Sequence, residues 1–312
     1  MMIAHKHLID IDEYSADEIT EILDTAESFK EVNDRSIKKL PTLRGRTVIN
    51  LFLEPSTRTR TSFEIAGKRR SADVVNFSAS SSSTQKGESL ADTGETLGAM
   101  DCDLVVVRSR QEGAPRLLAR HIDAHIVNGG DGKHQHPTQA LLDAFTIRRR
   151  MGGFEGLRVG IVGDVAHSRV AGSLVPLLVT LGAKPVVIGP ATLMPSRPDV
   201  LGCECSCSLD DVLPELDVVY MLRIQMERLE GAPLPSLREY QMLYGIDRRR
   251  MDAMKDDAII MHPGPINRGV ELTAEAADSP RSVILNQVNA GVAVRMAVMY
   301  LLLGGDANGI AA

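Results

Sequence analysis

Thr47-Val48-Ile49-Asn50-Leu51-Phe52-Leu53-Glu54-Pro55-Ser56-Thr57-Arg58-Thr59-Arg60 passes from an apolar run straight into hydroxyl and guanidinium groups. Its first six residues are mostly branched or aromatic, the pattern of a strand buried on both faces. Pro55 ends that run, Ser56 is a natural helix N-cap, and a helical pattern follows over 61–70. The same alternation fills the chain. Strand candidates fall at 74–77, 103–107 and 124–128, then at 157–162, 185–188, 218–222 and 258–261. Helical patterns over 89–100, 114–120, 137–150, 170–181 and 291–303 lie between and after them. Apolar strands alternating with amphipathic helices predict an α/β fold of parallel sheets flanked by helices.

Two sets of about four strands predict two doubly wound domains, 1–150 and 151–312. The seam is expected at Met151-Gly152-Gly153-Phe154, where a helix ending in Arg148-Arg149-Arg150 meets a glycine pair. An early helix over 15–30 opens on Ser15-Ala16-Asp17-Glu18, a capping-box pattern. The apolar last helix, about 288–304, is expected to pack back on the first domain.

Composition narrows the function classes. The chain has 312 residues, 44% hydrophobic and 24% charged, which suits globular cores rather than disorder. A net charge of −6 argues against general nucleic-acid binding, which needs clustered excess Lys and Arg. It leaves room for an anionic substrate, because a few cations in a cleft dominate the local potential. The opening MMIAHKHLIDIDEYSADE is charged by position 6, so no signal peptide is expected, and no apolar run approaches the roughly 20 residues of a membrane span. Cys102, Cys203, Cys205 and Cys207 do not form a disulfide framework for a chain of this size, which predicts free thiols in a reducing cytoplasm.

The strand-to-helix turn at Ser56 is the strongest chemical feature. Helix N-termini bind phosphate because their first N–H groups lack partners and the macrodipole is positive there. Ser56, Thr57, Arg58 and Thr59 add hydroxyls and a planar fork at that spot. The plainer alternative is a capped helix with solvated arginines. Arg108 follows a predicted strand, where ligands bind in open α/β sheets. After 124–128 comes Gly129-Gly130-Asp131-Gly132-Lys133-His134-Gln135-His136-Pro137-Thr138-Gln139, with Pro137 placing His136 at a helix mouth. His136 suits donation to a carbonyl oxygen and Gln139 suits accepting from an amide. The spacing of His134 and His136 does not favour zinc.

In the second half, Gly160-Ile161-Val162-Gly163-Asp164 lacks the full dinucleotide fingerprint. Instead Arg169 opens a helix after one strand, and Arg223-Ile224-Gln225 follows another. Two arginines at strand ends suit a substrate with two carboxylates. His262-Pro263-Gly264-Pro265 makes a stiff turn whose carbonyls suit a ligand amine or amide. The serine-rich 78–87 reads as a surface loop, or as a mobile loop that delivers Lys86 to a site.

Taken together these motifs resemble the aspartate/ornithine carbamoyltransferase superfamily, and within it the aspartate carbamoyltransferase catalytic chains. FLEPSTRTRTSFE (52–64), QKGES (85–89), HPTQALLD (136–143), GDVAHSR (163–169), RIQMER (223–228) and HPGPINRG (262–269) carry the resemblance over essentially the whole chain. It implies carbamoyl phosphate held by Ser56, Thr57, Arg58, Thr59, Arg108, His136, Gln139, Gly264 and Pro265. It implies aspartate held by Lys86, Arg169, Arg223 and Gln225, with Arg58, Thr59, Lys86, Arg108 and His136 in catalytic roles. The implied pathway is de novo pyrimidine biosynthesis, with no cofactor and no metal. The implied assembly is a cytoplasmic homotrimer whose Ser82–Lys86 loop reaches a neighbouring site, with regulatory chains or a pathway-enzyme partner left open. An ornithine-type transcarbamoylase and a non-catalytic family member are the alternatives.

Overall fold

The computed structural model describes residues 4–33, 35–78, 89–224 and 236–304. The chain forms two compact units, one running to Phe145 and resumed from Asn289, the other Thr146–Val288. The division falls inside a helix, between Phe145 and Thr146, ahead of the glycine pair where the sequence suggested a seam.

In the first unit the elements are α1 (Ala16–Asn33), β1 (Thr47–Phe52), α2 (Thr57–Arg69), β2 (Asp73–Ser78), α3 (Leu90–Gly98), β3 (Leu104–Ser109), α4 (Ala114–His121), β4 (His125–Asp131) and α5 (Pro137–Met151). All sheet pairings are parallel and the strand order is β2-β1-β3-β4. The chain therefore moves outward from β1 to β2 and returns to the other side at β3. The carboxyl ends of β1 and β3 flank that reversal, the place where open α/β sheets bind ligands.

β1 is buried from Val48 onward, and the amide nitrogen of its one interior polar residue has a partner, although its Oδ1 has none among the described residues. Asn50 donates through Nδ2 to Asn76 Oδ1 of the in-register neighbour at 2.9 Å, and Asn76 in turn donates to Glu64 Oε2 on α2 at 2.9 Å. Buried amides need such partners because an orphaned polar group costs about 1–3 kcal/mol. The capping box read at Ser15 is present, with Glu18 N donating to Ser15 Oγ at 3.2 Å and Ser15 N donating to Glu18 Oε2 at 3.0 Å.

The second unit contains β5 (Arg158–Val162), α6 (Arg169–Thr180), β6 (Lys184–Ile188), β7 (Glu204–Ser206), α7 (Leu209–Val212), β8 (Val218–Met221), α8 (Leu237–Tyr244), α9 (Arg248–Ala253), β9 (Ile259–Met261) and α10 (Ala274–Ala277). Its parallel sheet runs β7-β6-β5-β8-β9, so the reversal lies between β5 and β8. The short edge strand β7 was not among the strand candidates; Glu204, Cys205 and Ser206 pair with Val186, Val187 and Ile188 of β6, within the extended segment suggested by the alternation of Cys203, Cys205 and Cys207. Four short helices, α7, α8, α9 and α10, were also not foreseen.

α11 (Ile284–Leu302) begins in the second unit and belongs to the first from Asn289 on, which braces the first unit as the sequence suggested. Two buried arginines hold it there. Arg70 at the end of α2 is wholly buried and lies 4.0 Å from the centre of the Phe29 ring of α1 and 4.4 Å from that of Tyr300 of α11. The two rings meet edge to face at 5.7 Å. Burial pushes the Arg70 guanidinium below its ordinary range, and the π faces offset part of that cost. On α11 itself, Arg295 donates to Ser62 Oγ of α2 at 2.7 Å and lies 4.9 Å from the Phe63 ring. Burial pushes its guanidinium down to about 10, while the Asp143 carboxylate of α5 favours the charged form. Gly291 makes room for this, since a Cβ there would sit 2.6 Å from Arg295 Nη1.

Arg70→Ala is expected to lower stability by about 2–4 kcal/mol, because it opens a void between two rings and removes the cation–π contacts. Arg70→Met keeps the volume without the desolvated charge and should retain most of that stability, as thermal denaturation of the pair will show. Asp143→Asn and Arg295→Met should each cost about 3–5 kcal/mol by stranding a buried charge or its partner. The double variant should be more stable than the sum of the two losses predicts, measured as a coupling energy in a double-mutant cycle.

Candidate active site

The turn after β1 places Ser56 at the N-cap of α2 in an extended conformation, φ −159 and ψ 97. Its hydroxyl makes no capping bond, so it leaves the first N–H groups of the helix to other acceptors. α2 starts at Thr57, earlier than its apolar pattern indicated, which puts Thr57, Arg58 and Thr59 in the first turn. Thr57 and Arg58 are exposed, whereas Thr59 is buried. This arrangement supplies backbone donors, hydroxyls and one guanidinium to an anion beyond the strand end.

Arg108 lies within β3 rather than after it, and it is in register with Phe52 of β1. Pairing carries β3 on to Ser109, because a polar residue at a strand's end still completes the ladder. The guanidinium is fixed on several sides. Nε forms an ion pair with Glu54 Oε1 at 2.8 Å, and Nη1 donates to Gly129 O at 3.1 Å and approaches Thr59 Oγ1 at 3.4 Å. The side chains of Arg108 and Glu54 are 13% and 5% exposed, so the pair sits where its field is little screened.

β4 likewise extends through Gly129 and Gly130 to Asp131, past the glycines that read as its end. Asp131 then organises the loop that leads to His136. It accepts from Asn128 Nδ2 at 2.8 Å, from Gly113 N at 2.9 Å and from Gln135 N at 3.2 Å, and His134 Nδ1 lies 3.2 Å from it. Burial alone raises a carboxyl, yet these bonds hold Asp131 below its ordinary value. The same contact raises His134, which is a partner of the loop rather than of a substrate. Gln135 clamps the loop to the N-terminal segment by accepting from Ile11 N at 2.7 Å and donating to Asp12 at 2.7 Å.

Pro137 opens α5 as expected, and His136 at its mouth is buried. One turn on, Gln139 Nε2 donates to both oxygens of Asp143, at 3.1 and 3.3 Å. With its NH₂ engaged, the amide presents its carbonyl oxygen as the free end to accept. The orientation of the Gln139 amide is set by the wholly buried Asp143 carboxylate. The roles of Asp131, Gln135 and Asp143 were missed because a lone Asp or Gln in a polar stretch looks like solvated surface.

In the second unit, Ser168 caps α6 by accepting from Ala171 N at 3.3 Å, which makes Arg169 the first helical residue, buried at 6% exposure. β5 turns at Gly163, where φ is +132 and a Cβ would sit 3.0 Å from Tyr240 Oη and 3.1 Å from Leu222 Cβ. Nearby, Asp164 is buried and lies 2.8 Å from His167 Nδ1. β8 ends at Met221, so half-buried Arg223 follows two residues later. Because Val162 of β5 is in register with Met221 of β8, both arginines belong to segments leaving neighbouring strand ends. Gly264 has φ +67, and its N–H donates to His262 Nδ1 at 2.8 Å, which leaves the proton of the buried ring on Nε2. Gln225, Ser82 and Lys86 lie outside the described residues. No group of three or more His, Cys, Asp or Glu able to hold a metal occurs among the described residues.

The family described as aspartate/ornithine carbamoyltransferase, carbamoyl-P binding domain, matches residues 6–149, and its Asp/Orn binding domain matches residues 155–302. The aspartate carbamoyltransferase catalytic subunit of Syntrophotalea carbinolica is 56% identical over 306 residues, covering 98% of each chain. That of Thermobifida fusca is 58% identical over 300 residues, 96% of each. Among solved structures, aspartate transcarbamoylase from Trypanosoma cruzi in complex with N-(phosphonacetyl)-L-aspartic acid superposes with a TM-score of 0.86 at 32% identity, covering 94% of each chain. Ornithine carbamoyltransferase from Pyrococcus furiosus gives 0.87 at 28% identity, covering 98% of this chain and 99% of that one. Over nearly its whole length, with both domain types present and in order, the chain belongs to the aspartate/ornithine carbamoyltransferase family.

Proposed function

We propose that the chain transfers the carbamoyl group of carbamoyl phosphate to the α-amine of L-aspartate, giving N-carbamoyl-L-aspartate and phosphate for de novo pyrimidine biosynthesis. The observation that carries the choice of acceptor is the pair Arg169 and Arg223 on segments leaving the neighbouring ends of β5 and β8. Two guanidinium groups suit the two carboxylates of aspartate and repel the second ammonium of ornithine. The 56–58% identity to aspartate carbamoyltransferase catalytic subunits supports the same reading.

In this reading carbamoyl phosphate is held by the first unit. Its phosphate faces the start of α2, with Ser56, Thr57, Thr59 and Arg58, and its carbonyl oxygen faces Thr59, Arg108 and His136. Gln139 accepts from the carbamoyl NH₂, and the Gly264-Pro265 turn supplies backbone beside the carbamoyl group. The free-base amine attacks the carbamoyl carbon, a C–N bond forms, and negative charge moves onto the carbonyl oxygen. As the C–O bond to phosphate breaks, the phosphate leaves with the electron pair and takes up the amine proton. The chain's part is to hold two anions in attack geometry and to meet charge with prearranged donors. Lys86 and Gln225 complete the aspartate contacts, and Lys86 comes from the neighbouring subunit of a cytoplasmic homotrimer. No helix among the described residues is long and apolar enough to cross a membrane, which is compatible with that location.

Arg58→Ala is expected to lower turnover by about 10²–10³ while the thermal transition stays in place, because Arg58 is exposed and its loss opens no cavity. Product analysis with both amines should show carbamoyl-aspartate and no citrulline; carbamoylation of ornithine alone would remove aspartate as the acceptor. Native mass measurement should give a trimer or a multiple of it, and a fully active monomer would exclude delivery of Lys86 between subunits.

A further inference from the structure

Glu271 is wholly buried and was read by no sequence motif. Every group placed on its carboxylate is a donor. Oε1 accepts from Ile224 N at 2.8 Å and from Asn267 Nδ2 at 2.7 Å, and Oε2 accepts from Asn267 N at 2.8 Å. His262 Nε2, which carries the ring proton, lies 3.7 Å from Oε2. Asn267 closes the ring of contacts by donating from Nδ2 to Ile224 O as well, at 3.0 Å. The two segments joined in this way are the one that carries Arg223 and the turn that carries Gly264-Pro265. A third is added by the Glu271 backbone, whose carbonyl accepts from Ile246 N at 2.9 Å.

Stability alone does not call for a carboxylate here. A buried charge is costly to desolvate, and well-packed apolar groups commonly replace such charges without loss. What an apolar residue cannot do is fix two loop backbones that have no strand ladder between them. We propose that Glu271 is a positioning residue for the acceptor amino acid, clamping the Arg223 segment to the Gly264-Pro265 turn through an acceptor-only carboxylate. This rests on the reading of Arg223 as a carboxylate-binding residue. An amide of the same shape does not substitute, because its NH₂ meets an N–H donor in place of an acceptor.

The test is Glu271→Gln in the full chain, assayed with carbamoyl phosphate and aspartate. The aspartate KM should rise about tenfold or more, with kcat and the carbamoyl phosphate KM changed less than about threefold. In hydrogen exchange the Ile224 and Asn267 amides should lose protection while those of β5 and β8 keep theirs. Equal changes in both KM values, or a fall in kcat alone with normal Ile224 protection, would overturn the proposal. Should Glu271→Gln not fold, Asn267→Ala removes two of the bonds without burying a new donor and should show the same split at smaller size; no split there counts against the clamp. A wild-type chain that does not carbamoylate aspartate would refute aspartate as the acceptor instead, whereas normal turnover with no split refutes only the role of Glu271.

Discussion

Glu54, just past the carboxyl end of β1, and Arg108, near the end of β3, form a 2.8 Å ion pair on which the ligand-side edge of the first sheet depends. Taking both ions out of water costs several kcal/mol each, which their attraction repays only in good geometry with further hydrogen bonds. Here Gly129 O and Thr59 Oγ1 supply those bonds, so the arginine ties β1, α2, β3 and β4 into one edge. A guanidinium anchored in this way cannot swing out to solvent. In the proposed reaction it would already be aimed when charge develops, the condition under which a donor stabilises a transition state without reorganisation.

Much of this was legible because parallel sheets write themselves plainly. Apolar runs buried on both faces stand out, and β1 matched its pattern residue for residue. Strand ends were less legible where pairing continued into polar or glycine residues, as at Arg108-Ser109 and Gly129-Gly130-Asp131. Such residues have low strand propensity, but neighbouring backbone donors and acceptors had to be satisfied, and that outweighed propensity. β7 was hidden for the same reason. Its three residues pair with β6 at an edge, where a strand needs little apolar character.

Substrate-facing candidates such as Ser56, Arg58, Arg108, His136, Arg169 and Arg223 were legible as polar residues at strand-to-helix turns. The residues that orient them were not. Asp143 behind Gln139, Asp131 behind the His136 loop, and Glu271 behind Arg223 are each wholly buried carboxylates. In a sequence an isolated Asp or Glu reads as surface, because charged residues are almost never buried without partners. Most of their partners are near in sequence, such as Gln139, Asn128, Gln135 and Asn267. Only the folded loops and the distant Gly113 and Ile224 N–H groups turn those neighbours inward onto the carboxylate.

The two units hold the segments at their strand ends by different kinds of contact. Each has a parallel sheet whose order reverses beside its first strand, at β1/β3 in one and β5/β8 in the other. In the first, the cation is held by direct ion pairing to Glu54, so its charge is partly spent before any ligand arrives. That suits a task of polarising a carbonyl while a helix N-terminus meets the phosphate. In the second, Glu271 holds the backbone of the segment that carries Arg223 by accepting from Ile224 N at 2.8 Å. Placement of that segment is then achieved through the main chain, across the loops that follow β8 and β9.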